Sequence, residues 1–196
     1  MARVSSPNQR TEDAEKLLTY LVTHNHWSPF DMVDMVCEIE TSRAIMAQIL
    51  RHWSFRFQEF SQRYSVVADK QDWTHVEARE KARTNRQGSG ETDTSNTLWM
   101  QSICDGCESE YQKLIRDYNL APESARMILP LATPTRAYMK GSVRSWMTYF
   151  WQRLDHHAQK EHRELATQLF EIFRAHFPVI AHLVSTHKPC IIETPF

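Results

Sequence analysis

Long apolar runs are missing from this chain. No stretch approaches the about 20 consecutive apolar residues that a membrane-crossing helix needs. The opening MARVSSPNQR carries charge with no apolar core behind it, so it predicts no secretory signal. Cysteine is scarce too. Cys37, Cys104, Cys107 and Cys190 are too few and too scattered for a disulfide framework in 196 residues, and a reducing cytoplasm is the expected compartment. Net charge is nearly absent, at −1, which leaves no electrostatic footprint for nucleic acid. The one glycine-rich element, GSG at 88–90, is a weak phosphate loop because no strand is predicted to lead into it. Metal-site spacing is also lacking. CDGC at 104–107 stands alone, and both its sulfurs fall on the apolar stripe of a predicted helix, which favours core packing. His156, His157 and His162 have no carboxylate–histidine pattern beside them and read as polar helix-face residues, so no metal is expected.

What is present is an ordinary globular composition, 41% apolar, in a length that favours one domain over residues 1–196. The kind of cation is less ordinary. Of the 23 basic residues, 16 are arginine, whose planar fork of donors suits phosphate and carboxylate. The densest stretch is RHWSFRFQEFSQRYS at 51–65, with three arginines and five aromatic rings. A buried strand does not tolerate so many guanidinium groups, and a solvated loop has no use for so many rings.

Residues 11–23 predict a first helix capped by Thr11, with Leu17, Leu18, Leu21 and Val22 on its apolar face. HNHWSPFD reads as a loop. DMVDMVCEIE alternates, Val33, Met35, Cys37 and Ile39 on one face against Asp34, Glu38 and Glu40, and predicts a half-buried strand. RAIMAQILRH predicts a helix with Ala44, Ile45, Ile49 and Leu50 inward. In WSFRFQEF the period drops to two, with Trp53, Phe55 and Phe57 in step. The segment 77–97 has no large apolar residue and predicts a polar, mobile excursion, helical at its start. Beyond it the pattern is helical: 97–118, then PESARMIL, 142–159 and 161–177.

The arginines of the later half are placed suggestively. Arg144 and Arg153 are nine residues apart on one predicted helix, which at about 100° per residue sets them on opposite faces. Trp146, Met147, Tyr149, Phe150 and Trp151 lie between them. Such a helix is buried between two polar ligand sites, or it makes salt bridges at a subunit interface.

The order of the blocks adds a resemblance that fits the first. His26-x-Ser28-Pro29-Phe30-Asp31 precedes a strand. Gln48-x-x-Arg51-His52 and Glu59-x-Ser61-x-Arg63-Tyr64 follow. Then come Arg126-x-x-Leu129-Pro130, Thr135-Arg136, Arg144-Ser145 and Arg153. Over roughly residues 20–165 this resembles the flavin-dependent thymidylate synthases. The resemblance implies an α+β fold, a twisted antiparallel sheet packed among long helices, in a homotetramer with shared active sites. It implies a methyltransferase that converts dUMP to dTMP. Methylenetetrahydrofolate would give the carbon, and FAD reduced by NADPH the hydride. By matching position, Gln48, Arg51, Glu59, Phe60, Ser61, Gln62, Arg63, Arg126 and Arg153 would hold the nucleotide. His26, Ser28, Asp31, Arg51, His52, Trp53, Glu59, Ser142, Arg144 and Thr148 would lie along the flavin. Arg153 and Ser61 are the candidate catalytic pair. Arginine only donates hydrogen bonds, so Arg153 at the pyrimidine edge would favour the N3-deprotonated ring. Ser61 is read first as a nucleotide ligand.

The departures from the family pattern fall on the flavin side. Trp53 stands where the family has arginine, Ser142 and Thr148 where asparagines are usual, and Asp31 where glutamate is usual. This leaves room for a hydroxymethylase that acts on dUMP or dCMP and releases the carbon unreduced. A non-catalytic arginine-rich interaction protein is the remote alternative, and it leaves the ordered blocks unexplained.

Overall fold

The computed structural model describes residues 3, 14–67, 76–83 and 88–187. In chain order these form α1 (Ala14–Thr23), β1 (Asp34–Ser42), α2 (Arg43–Ile49), β2 (Arg56–Glu59), β3 (Arg79–Lys81) and β4 (Ser89–Thr92). Then follow α3 (Thr94–Arg116), α4 (Pro122–Ala125), β5 (Pro134–Ser142), α5 (Val143–Arg153), α6 (Lys160–His176) and α7 (Pro178–Thr186). Short 3-10 turns cover Ser28–Met32 and Arg126–Ile128. One sheet has the strand order β1-β5-β2, and β3 pairs antiparallel with β4 in a second. The fold is α+β, as expected.

Local chemistry explains most of the boundaries. Burial along β1 alternates residue by residue, because its charged side faces water and its apolar side the core. The strand ends at Ser42, whose hydroxyl accepts from Ile45 N at 3.4 Å and caps α2. The same device recurs at Ser142, which caps α5 by accepting from Ser145 N at 3.2 Å. Asp93 caps α3 through Asn96 N at 3.0 Å. Asn25 (φ 58) and Asn119 (φ 51) adopt the left-handed conformation that stops α1 and α3. The cap expected at Thr11 lies outside the described residues.

Several expectations need correction. The segment 77–97 is not helical at its start: it holds β3 and β4, and helix begins only at Thr94. The later half is not all helical, because β5 runs through it, and α7 follows α6 unforeseen. Leu50 is 39% exposed rather than inward, since α2 stops at Ile49. Trp53 sits in the turn before β2, not in step with Phe55 and Phe57, and is 88% exposed.

The chain divides into two compact units. The first comprises Met1–Cys37, Ser54–Arg56 and Lys140–Phe196, and the second Glu38–Trp53 and Phe57–Met139. The first unit is centred on α5, whose Trp146, Met147, Tyr149 and Phe150 are fully buried. The Phe55 ring meets Trp146 edge-on at 4.9 Å, and Phe150 meets Phe173 of α6 at 5.1 Å. The polar ends of this cluster are satisfied: Trp146 Nε1 donates to Met35 O at 3.2 Å, and Trp151 Nε1 donates to Val184 O at 3.0 Å. In the second unit, Val67, Tyr111 and Ala125 form a cluster, and Tyr111 Oη accepts from Val67 N at 3.2 Å. Cys104 packs beside Val76 and Ala132, which is the core role expected of it.

Gly141 marks a close approach. A Cβ there would lie 2.5 Å from two atoms of the buried Phe55 ring. The ring is held against Trp146 and cannot swing clear. Gly141→Ala is therefore expected to destabilise the chain by about 1–3 kcal/mol, a fall of roughly 3–10 °C in melting temperature. A thermal melt unchanged from wild type would contradict this packing.

Candidate active site

The residues expected along the flavin fall in both units. In the first unit, the 3-10 turn Ser28–Met32 follows the Asn25 cap, where His26 N bonds Leu21 O at 2.8 Å. His26 and Ser28 are exposed, and the His26 ring lies edge-on to Tyr20 at 6.0 Å. Asp31 is the hub. Its Oδ1 accepts from Ser142 Oγ at 3.1 Å, and its Oδ2 accepts from Arg144 Nη1 at 3.0 Å. Asp31, Ser142 and Arg144 are thus brought together across more than a hundred residues of sequence. Thr148, one turn along α5, returns its hydroxyl to Arg144 O at 3.2 Å. The Arg144 and Asp31 side chains remain 49% and 43% exposed, so the pair is open on one side. A guanidinium has five donors, and among the described residues Arg144 gives only one of them. This donor set fits an anionic flavin nucleotide.

Arg153 closes α5 in the same unit, partly buried. One turn earlier, burial pushes the Tyr149 hydroxyl well above its usual range, while the Arg153 cation pulls it the other way. Tyr149 Oη lies 3.2 Å from Nε2 of His162, which is fully buried on α6. His162 is therefore a core residue, not a polar helix-face one. His156 and His157 lie in the turn after α5, where Asp155 Oδ1 accepts from His157 N at 3.0 Å and closes the turn. Asp155, His156 and His157 bring three ligand-type atoms within 4.8 Å of one another, the two histidines exposed and Asp155 half-buried.

The second unit carries the rest. Gln48 is on α2, and Arg51, His52 and exposed Trp53 follow in the turn beyond it. No carboxylate among the described residues pairs with Arg51. Glu59 ends β2. Its Oε1 accepts from Arg43 Nη1 at 3.1 Å and from Thr135 Oγ1 at 3.0 Å, leaving Oε2 open among the described residues. Arg43 and Thr135 were not foreseen as its partners. Phe60 N bonds Arg136 O at 2.8 Å and anchors the turn that begins at Ser61. Within that turn, no acceptor among the described residues takes the N–H of Ser61, Gln62 or Arg63. Gln62 is 4% exposed, and its Nε2 has no hydrogen-bond partner among the described residues. A buried amide donor left unpaired is costly, and it calls for an acceptor that the described residues do not supply. Arg63 and Arg126 converge on one residue. Arg63 Nη2 lies 3.7 Å from the Glu123 carboxylate, and Arg126 Nε donates to Glu123 O at 3.3 Å. Guanidinium groups beside free N–H donors make a cradle for a phosphate dianion.

No helix among the described residues is long and apolar enough to cross a membrane. The family model for "Thymidylate synthase complementing protein" matches residues 1–179. A flavin-dependent thymidylate synthase of Synechocystis is 48% identical over 185 residues, covering 92% of this chain and 84% of that protein. A probable flavin-dependent thymidylate synthase of Paramecium bursaria Chlorella virus 1 is 42% identical over 190 residues, covering 92% and 85%. Among solved structures, the UMP/dUMP methylase PolB from Streptomyces cacaoi, bound with 5-Br dUMP, superimposes with a TM-score of 0.80. It is 24% identical and is matched over 94% of this chain and 87% of its own, a likeness of fold. On the family match and the identity to these relatives, the chain belongs to the flavin-dependent thymidylate synthase family.

Proposed function

We propose that this chain reductively methylates dUMP to dTMP, with methylenetetrahydrofolate as carbon donor and FAD reduced by NADPH. The observation that carries this reading is the cradle at Ser61–Arg63. Among the described residues its N–H groups are unengaged and the buried Nε2 of Gln62 is unpartnered, with Arg63 beside Arg126 at Glu123. In this reading the phosphate of dUMP takes these donors, with Arg51 and Gln48 adding to them. Glu59 offers its open Oε2 to a donor of the nucleotide. Arg153 faces the pyrimidine edge and stabilises the N3-deprotonated ring. Ser61 binds the nucleotide and forms no covalent bond to it.

His26, Ser28, Asp31, Ser142, Arg144 and Thr148 of the first unit, and Arg51, His52, Trp53 and Glu59 of the second, would hold the FAD. When bound, the flavin supplies the hydride. The chain's part is to bind, orient and polarise. A homotetramer with sites shared between subunits, the whole chain acting as one domain, and a cytoplasmic setting complete the proposal.

The test is the product. The full chain, given dUMP, methylenetetrahydrofolate, FAD and NADPH, is expected to yield dTMP by mass spectrometry. The same mixture with dCMP is expected to yield none. A 5-hydroxymethyl product would replace methylation with hydroxymethylation. Protein that shows no flavin absorbance after incubation with FAD would overturn flavin catalysis altogether.

A further inference from the structure

We propose that Trp27 is a positioning residue for the flavin nucleotide, holding the Arg144 guanidinium from beneath so that its donors stay free for an anionic phosphate. This rests on the reading that Arg144 faces FAD. The Arg144 Cζ lies 5.8 Å from the centroid of the Trp27 ring, within the range of a cation–π contact. The ring is itself braced. Trp151 meets it edge-on at 6.2 Å, and the Trp151 indole is pinned by its bond to Val184 O at 3.0 Å. Phe30, 3% exposed, stands on another side at 6.2 Å. Trp27 also acts through its backbone: its carbonyl accepts from Phe30 N at 2.9 Å and closes the turn that carries Asp31. The side chain at position 27 thus meets the cation, while its backbone, as any residue's would, shapes the turn that carries the carboxylate.

The chemistry favours this arrangement over a second carboxylate. Every hydrogen-bond donor of a guanidinium lies in its plane. Asp31 takes one N–H at 3.0 Å and so fixes one edge of the fork. The Trp27 ring adds hold without competing as a carboxylate would, so donors of the fork beyond the one given to Asp31 remain for a phosphate. A freely rotating arginine loses side-chain freedom when an anion binds; a pre-held one loses less. An aliphatic side chain at position 27 would fill space equally well but would not attract the cation, and this separates the proposal from plain packing.

The experiment uses the full chain and FAD, with the dissociation constant read from quenching of flavin fluorescence. Trp27→Leu is expected to raise it about five-fold, which is about 1 kcal/mol. Trp27→Phe, which restores a ring, is expected to stay within about three-fold of wild type. In an Arg144→Gln background, Trp27→Leu is expected to add less than about two-fold, because its effect passes through the guanidinium. An unchanged constant in Trp27→Leu overturns the proposal, and so does a loss of the same size in both backgrounds. A wild-type chain that takes up no FAD overturns the flavin reading and this proposal together. Should Trp27→Leu fail to fold, Trp151→Phe, which releases the brace at Val184, is expected to raise the constant about three-fold, and no change in it overturns the proposal.

Discussion

Arg153→Ala is expected to abolish formation of dTMP while the protein stays folded. Arg153 ends α5 and is only partly buried, while the packed rings of Trp146, Tyr149 and Phe150 are fully buried, so the fold is expected to survive its removal. The Tyr149 hydroxyl keeps its contact with His162 at 3.2 Å. The loss that bears on the reaction is that of a cation proposed to face the pyrimidine. A unit charge about 4 Å from the developing anion is worth roughly 4 kcal/mol at an effective dielectric near 20. That corresponds to about three pKa units on the ring, or about a thousand-fold in rate. Single-turnover conversion of dUMP measures the loss, and circular dichroism with a thermal melt measures the fold. Arg153→Lys keeps the charge without the planar fork and should fall between wild type and alanine. Near-normal turnover in Arg153→Ala would remove the role assigned to this residue.

β1 was legible because its two faces differ sharply in polarity. β5 alternates just as strictly in burial, yet its inner residues are Thr135, Ala137, Met139 and Gly141, while Tyr138 points outward at 49% exposure. That contrast is too weak to read as a period. Gly141 is small because the Phe55 ring occupies its Cβ position, a constraint that exists only in three dimensions. β3 and β4 contain no large apolar side chain at all. Their surroundings are tied by polar contacts such as Arg79 Nε to Ser89 Oγ at 2.9 Å and Ala78 N to Thr97 Oγ1 at 2.9 Å, which no hydrophobic pattern reports.

The site was legible in a different way. Nothing in the spacing of Asp31 and Ser142 says that they touch. The family resemblance assigned both to one ligand, and the first unit does bring them together with Arg144. Two of the positions that depart from the expected pattern, Asp31 and Ser142, meet each other directly through the serine hydroxyl. Trp27 escaped notice because an aromatic ring next to Ser28-Pro29 reads as ordinary loop filling. Its contacts with Arg144 and Trp151 join residues more than a hundred positions away. Arg43 as partner of Glu59 was missed for a simpler reason: it opens α2 as an unremarkable first-turn cation, and only folding carries it to the end of β2.

Arg63→Ala and Arg126→Ala are each expected to raise the KM for dUMP about ten- to a hundred-fold, with little change in stability. The stability half follows from exposure. The Arg63–Glu123 pair is 3.7 Å long, with side chains 69% and 56% exposed, and such pairs contribute at most about 1 kcal/mol. Arg126 gives a single N–H to Glu123 O at 3.3 Å, a long bond at the surface. The binding half follows from charge. A hydrogen bond from a guanidinium to a phosphate oxygen is worth about 1.5–3 kcal/mol, and the loosely held Glu123 carboxylate is a weak competitor for a dianion. Raising ionic strength should weaken dUMP binding in wild type more than in either variant, because the variants have already lost part of the screened attraction. Deoxyuridine, which lacks the phosphate, should inhibit wild type and both variants alike. If deoxyuridine loses affinity in step with dUMP, the two arginines act on the shape of the site rather than on the phosphate; a KM for dUMP unchanged in both variants would take the phosphate cradle away from Ser61–Arg63 entirely.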